Sequence, residues 1–136
     1  VIDHLGLDVG DYRRSRDFYV AALAPLGFDV KKELSAEPPD VPDRAGFGLT
    51  HPIFWIAGGG PVERPLHFAF SAANRAQVDA FYRAALGAGG RDNGAPGLRP
   101  HYHPNYYAAF VFDPDGHNIE AVCHTPGSPA DQTANF

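Results

Sequence analysis

The stretch Ile2-Asp3-His4-Leu5-Gly6-Leu7-Asp8-Val9 returns, altered, as Pro65-Leu66-His67-Phe68-Ala69-Phe70-Ser71. Adding 63 to a residue number in the first places much of its sequel on the second. His4 falls on His67, Asp11 on Asn74, Phe18 on Phe81, Tyr19 on Tyr82, Leu23 on Leu86 and Gly27 on Gly90, with no gap. A self-match of that length is read as an internal repeat before any single element is assigned. Each copy opens with the two-residue alternation of a half-buried strand. Leu5, Leu7 and Val9 share one face, as do Leu66, Phe68 and Phe70. The other face carries a histidine followed by a small residue, Gly6 or Ala69. Small residues beside a polar one leave room, which a pocket needs and a packed core avoids.

Working outward, Asp11 and Asn74 are helix N-caps. Ser15, Phe18, Tyr19, Ala22, Leu23 and Leu26 then recur at helical spacing, and so do Val78, Phe81, Tyr82, Ala85 and Leu86. Gly27 is a natural stop. Phe28–Leu34, Ala45–Thr50 and Ile53–Ala57 read as three strands of the first copy, with a proline-rich loop over residues 35–44. In the second copy a short strand is expected near Arg91-Asp92, then strands over Tyr106–Phe112 and Asn118–His124 around the turn Asp113-Pro114-Asp115-Gly116. The expected fold is α+β: two tandem βαβββ modules, residues 1–60 and 63–124, in one domain of residues 1–124. Residues 125–136 read as a loose tail. Gly58-Gly59-Gly60-Pro61 is a linker rather than a phosphate loop, because neither a helix start nor a lysine follows.

The 136 residues suffice for one domain with a real core. A formal charge of -5 shows no electrostatic footprint for nucleic acid or an acidic membrane. The lone cysteine, Cys123, excludes an internal disulfide and reads as a small buried hydrophobe. With no signal-peptide pattern and no apolar run long enough to span a bilayer, a cytoplasmic location is the default expectation.

The last strand, Asn118-Ile119-Glu120-Ala121-Val122, carries an inward carboxylate, which is costly unless something pairs with it. Matching His51 with His117 at an offset of 66 places Glu120 opposite Phe54. His4, His67 and Glu120 then face one concave surface. Two imidazoles and a carboxylate suit a divalent metal, iron, manganese, zinc or nickel, with positions left open for water and substrate. The loop His101-Tyr102-His103-Pro104-Asn105-Tyr106-Tyr107 concentrates residues able to move protons or donate to an oxyanion. His101, His103, Tyr102 and Tyr107 are candidate catalytic residues. Phe54, Arg99 and Tyr106 are candidate substrate contacts. His51 and His117, at turns, are expected to be solvated.

Three motifs carry a resemblance: Ile2-Asp3-His4-Leu5, Leu66-His67-Phe68-Ala69-Phe70 and Asp113-Pro114-Asp115-Gly116-His117-Asn118-Ile119-Glu120. Together the chain resembles the vicinal oxygen chelate superfamily, which includes glyoxalase I, bleomycin-binding proteins, fosfomycin resistance proteins and extradiol dioxygenases. The resemblance implies that the paired βαβββ modules form a curved mixed-sheet cup around a metal held by His4, His67 and Glu120. It also implies a homodimer, whose ligands could come from one chain or two. The first copy's last strand, Ile53-Phe54-Trp55-Ile56, lacks the carboxylate that glyoxalase I has there. That departure favours three-ligand chemistry of the dioxygenase type over isomerase or lyase chemistry, on a small substrate that chelates metal through vicinal oxygens. The alternatives are a drug- or metabolite-binding protein of the bleomycin-binding type and a thiol transferase or isomerase of the same superfamily.

Overall fold

A computed structural model describes residues 2–35 and 42–127. The middle of the proline-rich loop and most of the tail lie outside the described residues. The element order is β1 (Leu5–Val9), α1 (Tyr12–Leu23), a 3-10 turn (Ala24–Leu26), β2 (Asp29–Leu34), β3 (Arg44–Gly48), β4 (Phe54–Gly58), β5 (His67–Ser71), α2 (Arg75–Gly87), β6 (Arg91–Leu98), β7 (Tyr107–Phe112) and β8 (Asn118–Cys123). Each half forms one four-stranded mixed sheet, in the orders β1-β4-β3-β2 and β5-β8-β7-β6. The first strand of each half runs parallel to the last, and the other pairings are antiparallel. The repeat is therefore one of topology as well as sequence.

Local chemistry explains the helix ends. The Asp11 carboxylate accepts from Arg14 N at 3.0 Å, and Asn74 Oδ1 accepts from Gln77 N at 2.9 Å. Each satisfies a backbone donor that has no partner inside its helix. Gly27 ends the 3-10 turn at φ 86°, in the left-handed region that favours glycine.

The core joins the two halves. Leu7, Val9, Phe18, Tyr19, Phe47 and Ile56 of the first half are buried with Val78, Phe81, Val111, Ile119 and Cys123 of the second. Phe54 on β4 packs against Phe68 and Phe70 on β5, with ring centroids 5.2 and 5.3 Å away. Burying aromatic side chains of this size is worth roughly 1.5–3 kcal/mol each. Among the described residues no helix is long and apolar enough to cross a membrane.

Two expectations need correction. The strand near Arg91-Asp92 runs eight residues, because register breaks between Asp92 and Gly94 and between Gly94 and Gly97 let the chain pass Pro96 and still pair with β7. The second correction is the alignment of the last strands. Leu5 lies opposite Phe54, and its repeat partner Phe68 lies opposite Ile119. The offset there is 65, not 66. Trp55, not Phe54, occupies the position equivalent to Glu120. Phe54 faces the core and is 2% exposed.

Candidate functional site

Alternation along β8 puts Ile119, Ala121 and Cys123 against the core and turns Glu120 to the opposite face. Glu120 is nonetheless 2% exposed. Its neighbour on that face is His67, with Nε2 3.4 Å from Glu120 Oε2. His67 Nδ1 lies 2.9 Å from the carbonyl oxygen of Asn118, which can only accept. Nδ1 therefore carries a ring proton, and Nε2 is the nitrogen turned toward the carboxylate. Two acceptors facing each other call for a cation between them, a proton or a metal. Two donors held by one ion at about 2.1 Å stand about 3.0–3.4 Å apart for right-angled to tetrahedral geometry. The pair fits that spacing, and a second ring nitrogen anchored on a carbonyl is the usual support of a metal-bound histidine.

Tyr106 completes this corner by donating from its hydroxyl to Glu120 Oε1. Burial, and then the bond to Glu120, push the Tyr106 phenol up to about 12, so it stays a donor at neutral pH. Phe110 is stacked beside His67 with ring centroids 6.3 Å apart.

His4 stands elsewhere. Its Nδ1 donates to Asp3 Oδ1 at 2.7 Å, and this bond holds the Asp3 carboxyl below its usual range. The His4 side chain is 61% exposed. Within one chain His4 does not come within 4.8 Å of both His67 and Glu120.

The loop residues divide. His103 Nδ1 accepts from Asn105 N, so its proton is on Nε2 and is donated to His124 Nδ1 at 2.7 Å. The His103 and His124 rings both lie against Tyr106. His101 and Tyr102 lie against each other, tilted, at the exposed tip of the loop. Tyr107 points the other way, donating to Asp79 on α2 at 2.6 Å with Arg75 over its ring. The structure does not bring Tyr107 to the face of Glu120. Arg99 donates to the carbonyls of Ala95 and Gly97, where the β6 ladder is interrupted, and lies over Phe110. Phe54 sits in the core between Tyr19, Phe68 and Phe70.

The first module has its own hollow, of about 560 Å³, lined among others by His4, Gly6, Asp8, Lys32, Arg44 and Trp55. Lys32 and Arg44 were not singled out from the sequence. The break in register between Val30 and Lys32 sets which β2 residues share a face, and alternation alone does not reveal it.

The turn before β8 is also a correction. His117 is 1% exposed rather than solvated. Its Nδ1 accepts from Leu66 N at 2.9 Å, and its Nε2 donates to Asp8 O at 3.2 Å. Asp113 Oδ1 accepts from the backbone N of Asp115 and of His117, and Oδ2 accepts from Tyr19 OH at 2.6 Å. Asp115 accepts from Gly10 N and Ser15 Oγ. Asp113, Asp115 and His117 form, among the described residues, the one group of three whose ligand atoms all lie within 4.8 Å, so they are a possible metal site. Every one of those side chains is already hydrogen-bonded, and together they clasp the first module to the second.

The profile of the glyoxalase/bleomycin resistance protein/dioxygenase superfamily matches residues 1–121. No curated protein matches the chain. Among solved structures, a glyoxalase/bleomycin resistance protein from Albidiferax ferrireducens T118 is 26% identical, with a TM-score of 0.72 over 90% of this chain and 98% of that one. A mutant glyoxalase I from Zea mays is 22% identical, with a TM-score of 0.69 over 97% of this chain and 48% of that one. A mutant fosfomycin resistance protein from Listeria monocytogenes, complexed with Mn(II) and a dihydroxypropylphosphonic acid, is 15% identical, with a TM-score of 0.65 over 97% of this chain and 94% of that one. At those identities the last two share the fold. On the profile match across both modules, the chain belongs to the glyoxalase/bleomycin resistance protein/dioxygenase superfamily.

Proposed function

We propose that the chain is a metal-dependent enzyme acting on a small substrate with adjacent oxygens, and that dioxygenase-like chemistry is its closest class. The observation that carries the reading is His67 Nε2 turned on the buried carboxylate of Glu120, 3.4 Å away, with Nδ1 held by the Asn118 carbonyl. His67 and Glu120 would hold a divalent ion, and His4 of a second copy would complete the set. Ile2 and Leu5 beside His4, and Leu66 beside His67, are exposed apolar side chains flanking both donors, as a dimer contact would require. The Listeria relative is complexed with Mn(II), an ion that imidazole and carboxylate donors suit.

A bound divalent ion would act as a Lewis acid on adjacent substrate oxygens. Tyr106 would hold the Glu120 carboxylate in place while remaining protonated itself. His103, whose proton lies on the bond to His124, is the residue of the loop best placed to pass a proton. Trp55 at the position equivalent to Glu120 supplies no second carboxylate, which speaks against an isomerase that needs one as base.

Complementation between variants tests this directly. Purified His4→Ala and Glu120→Ala should each bind less than a tenth of the wild-type metal. Mixed in equal amounts and re-annealed, half of the dimers are mixed and one site of each mixed dimer is intact, so about one ion per four chains should return. Oxygen uptake with catechols then tests the reaction class. Full metal content in His67→Ala or Glu120→Ala would overturn the site. In that case the cation between them is a proton and the metal lies elsewhere, whereas a wild type that binds no metal would make a metal-free binding protein the better reading.

A further inference from the structure

The hollow of the first module is built for an anion attached to a ring. Two ranks of residues, read across the sheet from the strand register, form its floor. The first is Gly6, Trp55, Gly46 and Lys32, and the second is Asp8, Ala57, Arg44 and Leu34. A Cβ on Gly46 would stand 2.8 Å from Trp55 Cε2, so the indole lies against the bare backbone there. A Cβ on Gly6 would meet nothing within 4 Å. The floor therefore has an aromatic wall beside an open slot. Above the next rank, Arg44 Nε is buried with no hydrogen-bond partner among the described residues. A buried donor left unpaired is unfavourable until an acceptor reaches it. Lys32 lies at the same end of the hollow. Asp8 is the opposing charge, two strands from Arg44 with Ala57 between them, about 10 Å across the sheet. Lys32, Arg44 and Asp8 leave the hollow one charge positive when His4 is neutral.

We propose that this hollow binds a planar aromatic carboxylate, with the ring in the slot over Gly6 beside Trp55 and the carboxylate on Arg44 and Lys32. A guanidinium takes a carboxylate in a planar fork, and an indole face takes a second ring by stacking. His4 lies two residues before Gly6 on the same strand, so the ring edge away from the carboxylate faces His4. The proposal thus names the substrate class for the site described above and rests on that reading for the place of His4. Its own recognition groups, Arg44, Lys32 and Trp55, belong to the first module alone.

Trp55 is the only tryptophan in the chain, so its emission reports on this hollow. Full-length protein stripped of metal is titrated with benzoate, with benzamide as the neutral isostere and with acetate as the anion lacking a ring. Benzoate should give a saturable change in Trp55 emission, and benzamide and acetate should bind at least about tenfold more weakly. Arg44→Gln and, independently, Lys32→Gln should each weaken benzoate at least about fivefold and leave metal content at the wild-type level. Circular dichroism identifies a variant that has not folded, and the other variant then decides. Benzamide binding as well as benzoate, or benzoate affinity unchanged in both variants, would overturn the proposal. Benzoate binding by a protein that takes up no divalent metal when metal is added back would sink the metal site and leave the anion hollow standing. A protein that holds metal and ignores benzoate would do the reverse.

Discussion

Replacing Tyr19 by phenylalanine removes one oxygen from the centre of the molecule. Tyr19 is fully buried, and its hydroxyl donates to Asp113 Oδ2 at 2.6 Å from the other module. Asp113 keeps its two backbone donors through Oδ1, but Oδ2 loses its partner in a site that is 2% exposed. Bonds to charged groups are worth about 1.5–3 kcal/mol, and a buried acceptor left unpaired puts this one toward the upper end. At about 4 °C per kcal/mol for a chain of this size, Tm should fall by about 8–12 °C. Urea unfolding and calorimetry measure both quantities, and a double-mutant cycle with Asp113→Asn isolates the bond. The alkaline limb gives a second reading. Burial, and then Asp113, hold the Tyr19 phenol well above its usual value of 10.0. The unfolded chain releases that proton near pH 10 while the folded chain keeps it. The stabilisation is therefore complete below pH 10 and declines as pH rises beyond it. Wild type should lose stability above pH 10 more steeply than Tyr19→Phe. A loss under about 0.5 kcal/mol, with additive behaviour in the cycle, would refute the reasoning.

Two further substitutions follow from the same geometry. His117→Phe leaves Leu66 N and Asp8 O without their partner and should cost about 2–4 kcal/mol in urea unfolding, where a merely solvated histidine would cost almost nothing. Tyr106→Phe takes the hydroxyl donor from Glu120 and should weaken metal binding about 10–100-fold in a chelator competition, while unchanged affinity would remove Tyr106 from the site.

The fold was legible because the first strand and helix of each module have kept the same length, so an ungapped offset exposes them. The fourth strands lie beyond loops of unequal length, and there the offset chosen on His51 and His117 was wrong by one. In a strand one residue is the whole difference between faces. It put Phe54 where the structure has Trp55, and so hid the aromatic wall of the first hollow. The donor types of the candidate site were visible in His67 and Glu120. Tyr106 was legible as a candidate substrate contact but not as the partner of Glu120, because that bond depends on how β7 meets β8. Lys32 and Arg44 escaped notice for a similar reason, since the irregularity after Val30 sets which residues of β2 share Arg44's face. His117 looked wet because it follows a turn rich in acids. That turn folds inward against the neighbouring module, which local composition does not encode.

The turn from Asp113 to His117 also breaks the symmetry of the ancient duplication. Its counterpart in the first module, Gly48-Leu49-Thr50-His51-Pro52, has no acid with which to grip anything. The second copy therefore holds the first through Gly10, Ser15, Tyr19 and Asp8, and the first copy's turn of residues 48–52 offers no carboxylate in return. Two halves that began as equals have become latch and keep. Pairing two first halves would discard the fastening, whereas pairing one of each keeps it.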